Sequence, residues 1–168
     1  MTSSRGMAWF MLVVWATWIG AGQAVLATSF GAWVPDLSLL LLLALCAELD
    51  SRDVPILCGL LALARLTFTV EPVEATLCGL FTLGATALGV RSVAEAGGPL
   101  VRTLWGDFAV LLYSSWLIVV HQARSGESLG LSWQLALPTA LSSAGFALIL
   151  GPLFVRLPGL TPLKKVRW

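Results

Sequence analysis

The sequence has few charged residues, one histidine and one tyrosine, and these shortages exclude several classes of protein. Asp, Glu, Lys and Arg make up 11% of the 168 residues, against about 25% in soluble domains. The three cysteines have no CxxC or Cys/His spacing, so the sequence predicts neither a disulfide framework nor a metal site. It contains no nucleophile elbow, Walker loop, HExxH sequence or paired carboxylates, and no basic patch for nucleic acid. We therefore expect a non-enzymatic protein without a cofactor.

The sequence is instead rich in long hydrophobic runs. Hydrophobic residues account for 58% of the sequence and the mean hydropathy is +0.89, more than a soluble core requires, so the surplus should face lipid. A spanning helix needs about 20 largely apolar residues. Six runs approach that length and predict a single all-α domain, a polytopic bundle of six transmembrane helices over residues 7–30, 34–49, 54–70, 72–90, 99–121 and 131–157. A less favoured interpretation merges the short second and third runs or makes them re-entrant, which leaves four helices.

The positive residues are distributed unequally between the two sides of this predicted bundle. Arg124 alone falls on one side, and Arg65 lies inside the third run. The other eight fall on the opposite side: Arg5, Arg52, Arg91, Arg102, Arg156, Lys164, Lys165 and Arg167. Short loops rich in Lys and Arg stay in the cytoplasm, so both termini should be cytoplasmic. The tail, residues 158–168, is predicted to anchor to anionic lipid.

Arg65 is the strongest candidate for a functional residue, because a charge inside a span costs about 2.5 to 3.5 kcal/mol unless it is paired or reaches the interface. It lies about 7 Å below the predicted outer surface, at 1.5 Å per residue, where Glu71 and Glu74 are expected. One interpretation is that Arg65 snorkels and pairs with these acids to fix the hairpin between the third and fourth helices. The other is that all three residues contact a ligand or partner.

Other polar residues in the apolar runs have structural and functional interpretations. Asp107, in the fifth run, should face the bundle and accept hydrogen bonds from a neighbour, either for structure or for partner binding. Pro35 fits the first turn of the second helix, which needs no amide donor there. Asp36 should cap that helix, where its charge complements the positive end of the helix dipole.

Small residues four apart give the first helix a face that another helix can approach closely. They are Ala16, Gly20 and Ala24. Such a stripe is typical of helix association in membranes, and it predicts a surface for binding a partner.

Two segments resemble the bacterial rod shape-determining protein MreD family. They are Trp33 to Leu42, which contains a Pro-Asp-Leu start to a Leu-rich helix, and Cys58 to Leu66 followed by Glu71 to Ala75. The resemblance implies a non-enzymatic multi-pass protein of the bacterial inner membrane. Its expected partners are an MreC-like scaffold, RodA, a penicillin-binding protein and membrane lipids. The family departs from this chain at Arg65, where many members carry an acidic residue.

Proteins similar to MreD are also thought to share the six-helix fold of vitamin-binding S-components of energy-coupling-factor transporters. On that alternative the chain would bind a small vitamin near its outer side, and its small-residue stripe would dock on a transporter subunit. A ligand pocket needs convergent polar groups, and the predicted outer loops are short and sparsely polar. The cell-wall function is therefore preferred.

Overall fold

A computed structural model describes residues 2–96, 98–126 and 130–164 of the chain. It is all-helical, and the described residues form no strand apart from an isolated bridge between Leu49 and Lys164. Each of the six apolar runs forms one helix. The six are α1 (Thr2–Phe30), α2 (Leu37–Glu48), α3 (Val54–Phe68), α4 (Val73–Ala96), α5 (Gly98–Ser125) and α6 (Gly130–Val155).

Four helices, α1 together with the 3-10 turn Gly31–Trp33 that follows it, α4, α5 and α6, supply segments long and apolar enough to cross a membrane. The segments are Ser4–Trp33, Val73–Arg91, Leu104–Ser125 and Ala136–Val155. The other two helices, α2 and α3, are apolar but shorter. With 12 and 15 residues, they extend about 18 and 22 Å at 1.5 Å per residue, less than the roughly 30 Å of a hydrocarbon core.

The short helix α2 lies at the centre of the bundle. It packs against α1, α3, α4, α5 and α6, and four consecutive leucines in its first half, Leu39 to Leu42, are at most 4% exposed. A helix that is apolar on every side can be surrounded either by lipid or by protein. Here the surroundings of α2 are other helices, so its leucines form the core of the protein.

The segment after α6 folds back onto the start of the chain. Leu160 and Leu163 are 1% and 3% exposed, and the indole N–H of Trp15 donates to the carbonyl of Pro158 at 3.2 Å. Gly159 adopts a φ of +86°, and a Cβ there would lie 2.9 Å from Met11 Cγ. Two leucines of the predicted lipid anchor therefore pack into the core, while the anchor residues between and before them are exposed. Residues 165–168 lie outside the described residues.

Close helix packing in the middle of the bundle depends on a glycine of α4. A Cβ added at Gly84 would lie 2.5 Å from Cys58 Sγ and 3.2 Å from Val54 Cγ1, both on α3. Such distances require a neighbour to move. The α3–α4 pair, joined by the short connection at residues 69–72, therefore packs with its backbones close together.

Candidate functional site

The candidate site is built around the start of α2. Asp36 is the N-cap of this helix, as predicted, and its Oδ1 accepts from the backbone N–H of Leu39 at 3.1 Å. Pro35 lies one residue before the cap and not in the first helical turn, because the helix begins at Leu37. The Asp36 backbone N–H donates to Ser143 Oγ at 2.9 Å. The start of α2 is therefore fixed against α6 as well as capped.

Arg65, near the end of α3, lies between two carboxylates. Its Nη1 donates to both oxygens of Asp36 at 2.7 Å. On its other edge, Nε donates to the two oxygens of Glu71 at 3.0 and 2.9 Å, and Nη2 donates to Glu71 Oε1 at 2.8 Å. Arginine is suited to this arrangement because its planar guanidinium presents five N–H groups in fixed directions. The pairing joins α2, α3 and the loop before α4.

Three neutral side chains complete this group. The Tyr113 hydroxyl of α5 and the Thr76 hydroxyl of α4 donate to Glu71 Oε2 at 2.9 and 3.0 Å, and Arg65 Cζ lies 4.8 Å from the Tyr113 ring centroid. Ser38 Oγ accepts from Arg65 Nη1 at 2.7 Å and donates to Asp36 Oδ1 at 2.7 Å. We call the six residues the Arg65 cluster: Asp36, Ser38, Arg65, Glu71, Thr76 and Tyr113. It links four helices directly.

The Arg65 cluster is buried and carries unequal charge. The side chains of Arg65, Asp36 and Glu71 are 8%, 7% and 17% exposed. One guanidinium faces two carboxylates, so the formal charge of the cluster is negative by one. Burying ions is costly, and only good geometry with additional hydrogen bonds compensates for it. The hydroxyls of Tyr113 and Thr76 supply such bonds to Glu71.

The surroundings of Arg65 agree only in part with the sequence prediction. Glu71 pairs with Arg65 as one interpretation required, but Glu74 pairs with Arg124 of α5 at 3.2 Å, and both of those side chains are more than half exposed. The second carboxylate partner of Arg65 is Asp36, at 2.7 Å, which the sequence analysis assigned only to capping. No sequence pattern connects these two residues, which are 29 positions apart. Whether any of these groups binds a partner protein stays a prediction.

The small-residue stripe of α1 faces the interior of the molecule. A Cβ on Gly20 would lie 2.8 Å from Phe68 Cδ2 of α3, and Ala16 is 4% exposed. Together with Ala24 these residues line a cavity of about 130 Å³ between α1, α2 and α3. The stripe therefore permits close packing within this chain, and its use by another protein stays a prediction.

Polar groups reach the same cavity from all three helices. Gln23 of α1, Ser38 of α2 and Arg65 of α3 line it. The Gln23 side-chain oxygen accepts from the Ser38 backbone N–H at 3.4 Å. The cavity thus adjoins the Arg65 cluster and has a polar end and apolar walls. Convergent polar groups in an apolar pocket are a common feature of ligand sites.

Asp107 lies apart from this cluster, on α5. Asp107 as a whole is half-buried, but its Oδ1 atom is fully buried and has no hydrogen-bond partner among the described residues. This oxygen does not make the hydrogen bond predicted for Asp107 within the described ranges, and the predicted role of the residue stays a prediction. On the same helix Leu104 and Phe108 are 59% and 55% exposed. The carboxylate consequently lies beside an exposed apolar surface.

The opposite end of the bundle has its own polar contacts. Arg5 of α1 forms an ion pair with Asp53 at the start of α3, and Arg91 Nη1 donates to the carbonyl of Leu49 at 2.8 Å. Lys164 forms its bridge with the same residue, Leu49. Three of the positive residues, Arg5, Arg91 and Lys164, therefore make contacts at the end of the bundle farther from the Arg65 cluster.

Over the described ranges, no three His, Cys, Asp or Glu side chains are placed to hold a metal ion. Comparison of the chain with protein-family models, curated proteins and solved structures gives no match. The four apolar helices of sufficient length indicate a membrane protein.

Proposed function

We propose that the protein is a non-enzymatic component of the bacterial machinery for cell-wall elongation, acting in the inner membrane through contacts with an MreC-like scaffold. All six helices would lie within the bilayer, with both termini in the cytoplasm. The four long apolar helices support membrane insertion, and the one-sided distribution of Lys and Arg supports the orientation.

The observation that carries this proposal is the position of the two segments that resemble MreD. Asp36 belongs to the first segment, and Arg65 and Glu71 belong to the second. These three residues form the buried ion pairs of the Arg65 cluster. The two segments are therefore in contact within one packed unit, as a shared fold requires, and the contact is made through Arg65, the position at which many MreD proteins carry an acidic residue.

Among the residues predicted to bind a partner, Asp107 is the best placed to do so. Its Oδ1 lacks a partner among the described residues, and leaving such a group unpaired costs about 1 to 3 kcal/mol. Oδ1 is buried, so rotation of the half-buried Asp107 side chain would be needed to bring it to a hydrogen-bond donor on a helix of the scaffold. The exposed Leu104 and Phe108 would pack against the same helix. By contrast, Ala16 and Gly20 are already in use within the chain.

The test is mild cross-linking in native membranes, purification of the tagged protein, and mass spectrometry of the proteins that come with it. Recovery of an MreC-like scaffold, RodA or a transpeptidase would support the proposal. Recovery of a transporter subunit with paired ATPases would refute it.

Variants make this test specific. Asp107→Leu should reduce recovery of the scaffold, and Arg65→Ala should reduce it more than Arg91→Ala does. Phe10→Ala is a matched control for Asp107→Leu, because Phe10 is an exposed side chain on α1, 62% accessible, far along the chain from the proposed contact. Equal recovery from all variants, measured per amount of folded protein, would contradict the assigned contacts.

The cavity favours a second candidate function, the substrate-binding S-component of an energy-coupling-factor transporter. Gln23, Ser38 and Arg65 supply the convergent polar groups that the predicted loops lacked. On this function the transporter ATPases, and not the cell-wall proteins, would be recovered in the experiment above.

A further inference from the structure

We infer that the cavity between α1, α2 and α3 binds a small uncharged molecule that presents a hydrogen-bond acceptor oxygen. The inference deepens the second candidate function, on which it rests, by naming the class of ligand. The acceptor could belong to a free alcohol, amide or ester, or to the ester region of a membrane lipid.

The size of the cavity limits the part of the ligand that can enter. Its volume is about 130 Å³, close to the roughly 150 Å³ of an apolar cavity that holds one benzene molecule. Ile19, Leu41, Leu61 and Phe68 contribute apolar walls. A group the size of a single ring or a short branched chain is therefore the expected occupant.

The polar end of the cavity offers hydrogen-bond donors. A guanidinium has five N–H groups. All three nitrogens of Arg65 donate within the cluster, but Nη2 carries two N–H groups and has one acceptor, Glu71 Oε1, among the described residues. The amide nitrogen of Gln23 has no acceptor in the same set, since the Gln23 contact there uses its oxygen. A ligand oxygen could accept from these two groups, which lie on facing helices.

The charges of the Arg65 cluster select an uncharged ligand. Arg65 already faces two carboxylates, so an anion would add a third negative charge close to them. A cation would find no carboxylate, because Asp36 and Glu71 do not line the cavity. Charged groups in such apolar surroundings require a partner. A neutral acceptor avoids both the repulsion that an anion would meet and the burial of a cation without a carboxylate.

The test compares three molecules that share one ring and differ in charge: 4-fluorobenzyl alcohol, 4-fluorobenzoate and 4-fluorobenzylamine. Binding to the purified full-length protein in detergent is measured by ¹⁹F NMR line broadening, with empty micelles as the reference for partitioning. The alcohol should bind, and the anion and cation should bind at least tenfold more weakly. Stronger binding of the benzoate or the amine would overturn the proposal.

Variants of α1 locate the binding. Ala24→Leu, which fills the cavity, should abolish the protein-dependent broadening, whereas Gly22→Leu, on the exposed side of α1 with no atom within 4 Å of its Cβ position, should retain it. Gln23→Leu keeps the side-chain size and removes the donor, so it should weaken binding about tenfold, the effect of one hydrogen bond. Thermal unfolding confirms that each variant is folded. Equal broadening by all variants would overturn the assigned site.

Native mass spectrometry of protein extracted from membranes distinguishes the two sources of ligand. A phospholipid that remains on the native protein, is absent from Ala24→Leu and is displaced by the alcohol would identify a lipid ester as the occupant. Probe binding without a retained lipid would identify a free molecule. Neither lipid nor probe on the native protein would overturn the inference. If neither lipid nor probe binds but transporter ATPases are recovered with the protein, the inferred ligand class is refuted and the transporter function stands. If the probe binds but no ATPases are recovered, the ligand site is supported and the transporter function is not.

Discussion

Replacing Arg65 by alanine should strongly destabilise the protein. The substitution leaves the Asp36 and Glu71 carboxylates, 7% and 17% exposed, without the cation that both contact. Removing one partner of a buried pair costs about 3 to 5 kcal/mol. For a chain of this size each kcal/mol lowers the unfolding temperature by about 2 to 4 °C, so the expected decrease is roughly 6 to 20 °C. Thermal unfolding in detergent, followed by circular dichroism, measures it.

A second arginine provides the matched control. Arg124 also pairs with a glutamate, Glu74, but their side chains are 57% and 74% exposed, and such pairs contribute about 0 to 1 kcal/mol. Arg124→Ala should therefore change the unfolding temperature little. Replacing Arg65, Asp36 and Glu71 together by Met, Asn and Gln should recover much of the loss, because no buried charge remains. If the two arginine variants lose equal stability, the buried cluster is not what stabilises the bundle.

Three further predictions concern single positions. Gly84→Ala should lower the free energy of unfolding by about 1 to 3 kcal/mol, because its Cβ would press on Cys58 of α3. Its control, Gly89→Ala, has open space around the Cβ position and should be neutral or stabilising. Similar unfolding temperatures for the two variants would contradict the proposed packing. Tyr113→Phe removes the hydroxyl that donates to Glu71 at 2.9 Å and should cost about 1.5 to 3 kcal/mol in a denaturation titration; an unchanged midpoint would refute that estimate. Asp107→Leu should raise stability by about 1 kcal/mol in detergent, since one of its oxygens is buried and unpaired among the described residues; lower stability of the variant would contradict this reasoning.

The elements of the fold were predictable because the signals are local. Each apolar run forms a helix, and the sequence Pro35-Asp36-Leu37-Ser38 indicates a helix start through the chemistry of a single side chain. The centre of the bundle was not predictable in the same way. Leu39 to Leu42 are apolar on every side, and this pattern is the same whether lipid or protein surrounds them.

The candidate site was predictable only in part, because it depends on tertiary contacts. Arg65 was identified by the cost of a charge within an apolar run, and Glu71 by its position in the adjacent short loop. The pairing of Arg65 with Asp36, and the donation from Tyr113, follow from the way α2 and α5 pack against α3. Likewise, Leu160 and Leu163 lie in a Pro- and Gly-containing segment without periodicity, so their burial had no sequence signal.

The contact between α1 and residues 158–164 determines when, during synthesis of the chain, this side of the bundle can close. At about 5 to 20 residues per second, roughly 7 to 27 s pass between synthesis of the end of α1 and synthesis of the segment that covers Met11 and Trp15. During that interval this side of the first helix is open to the insertion machinery or to lipid. Residues 158–164 must then displace whatever occupies it, so closure of this side of the bundle follows their synthesis and cannot guide insertion of the first helix.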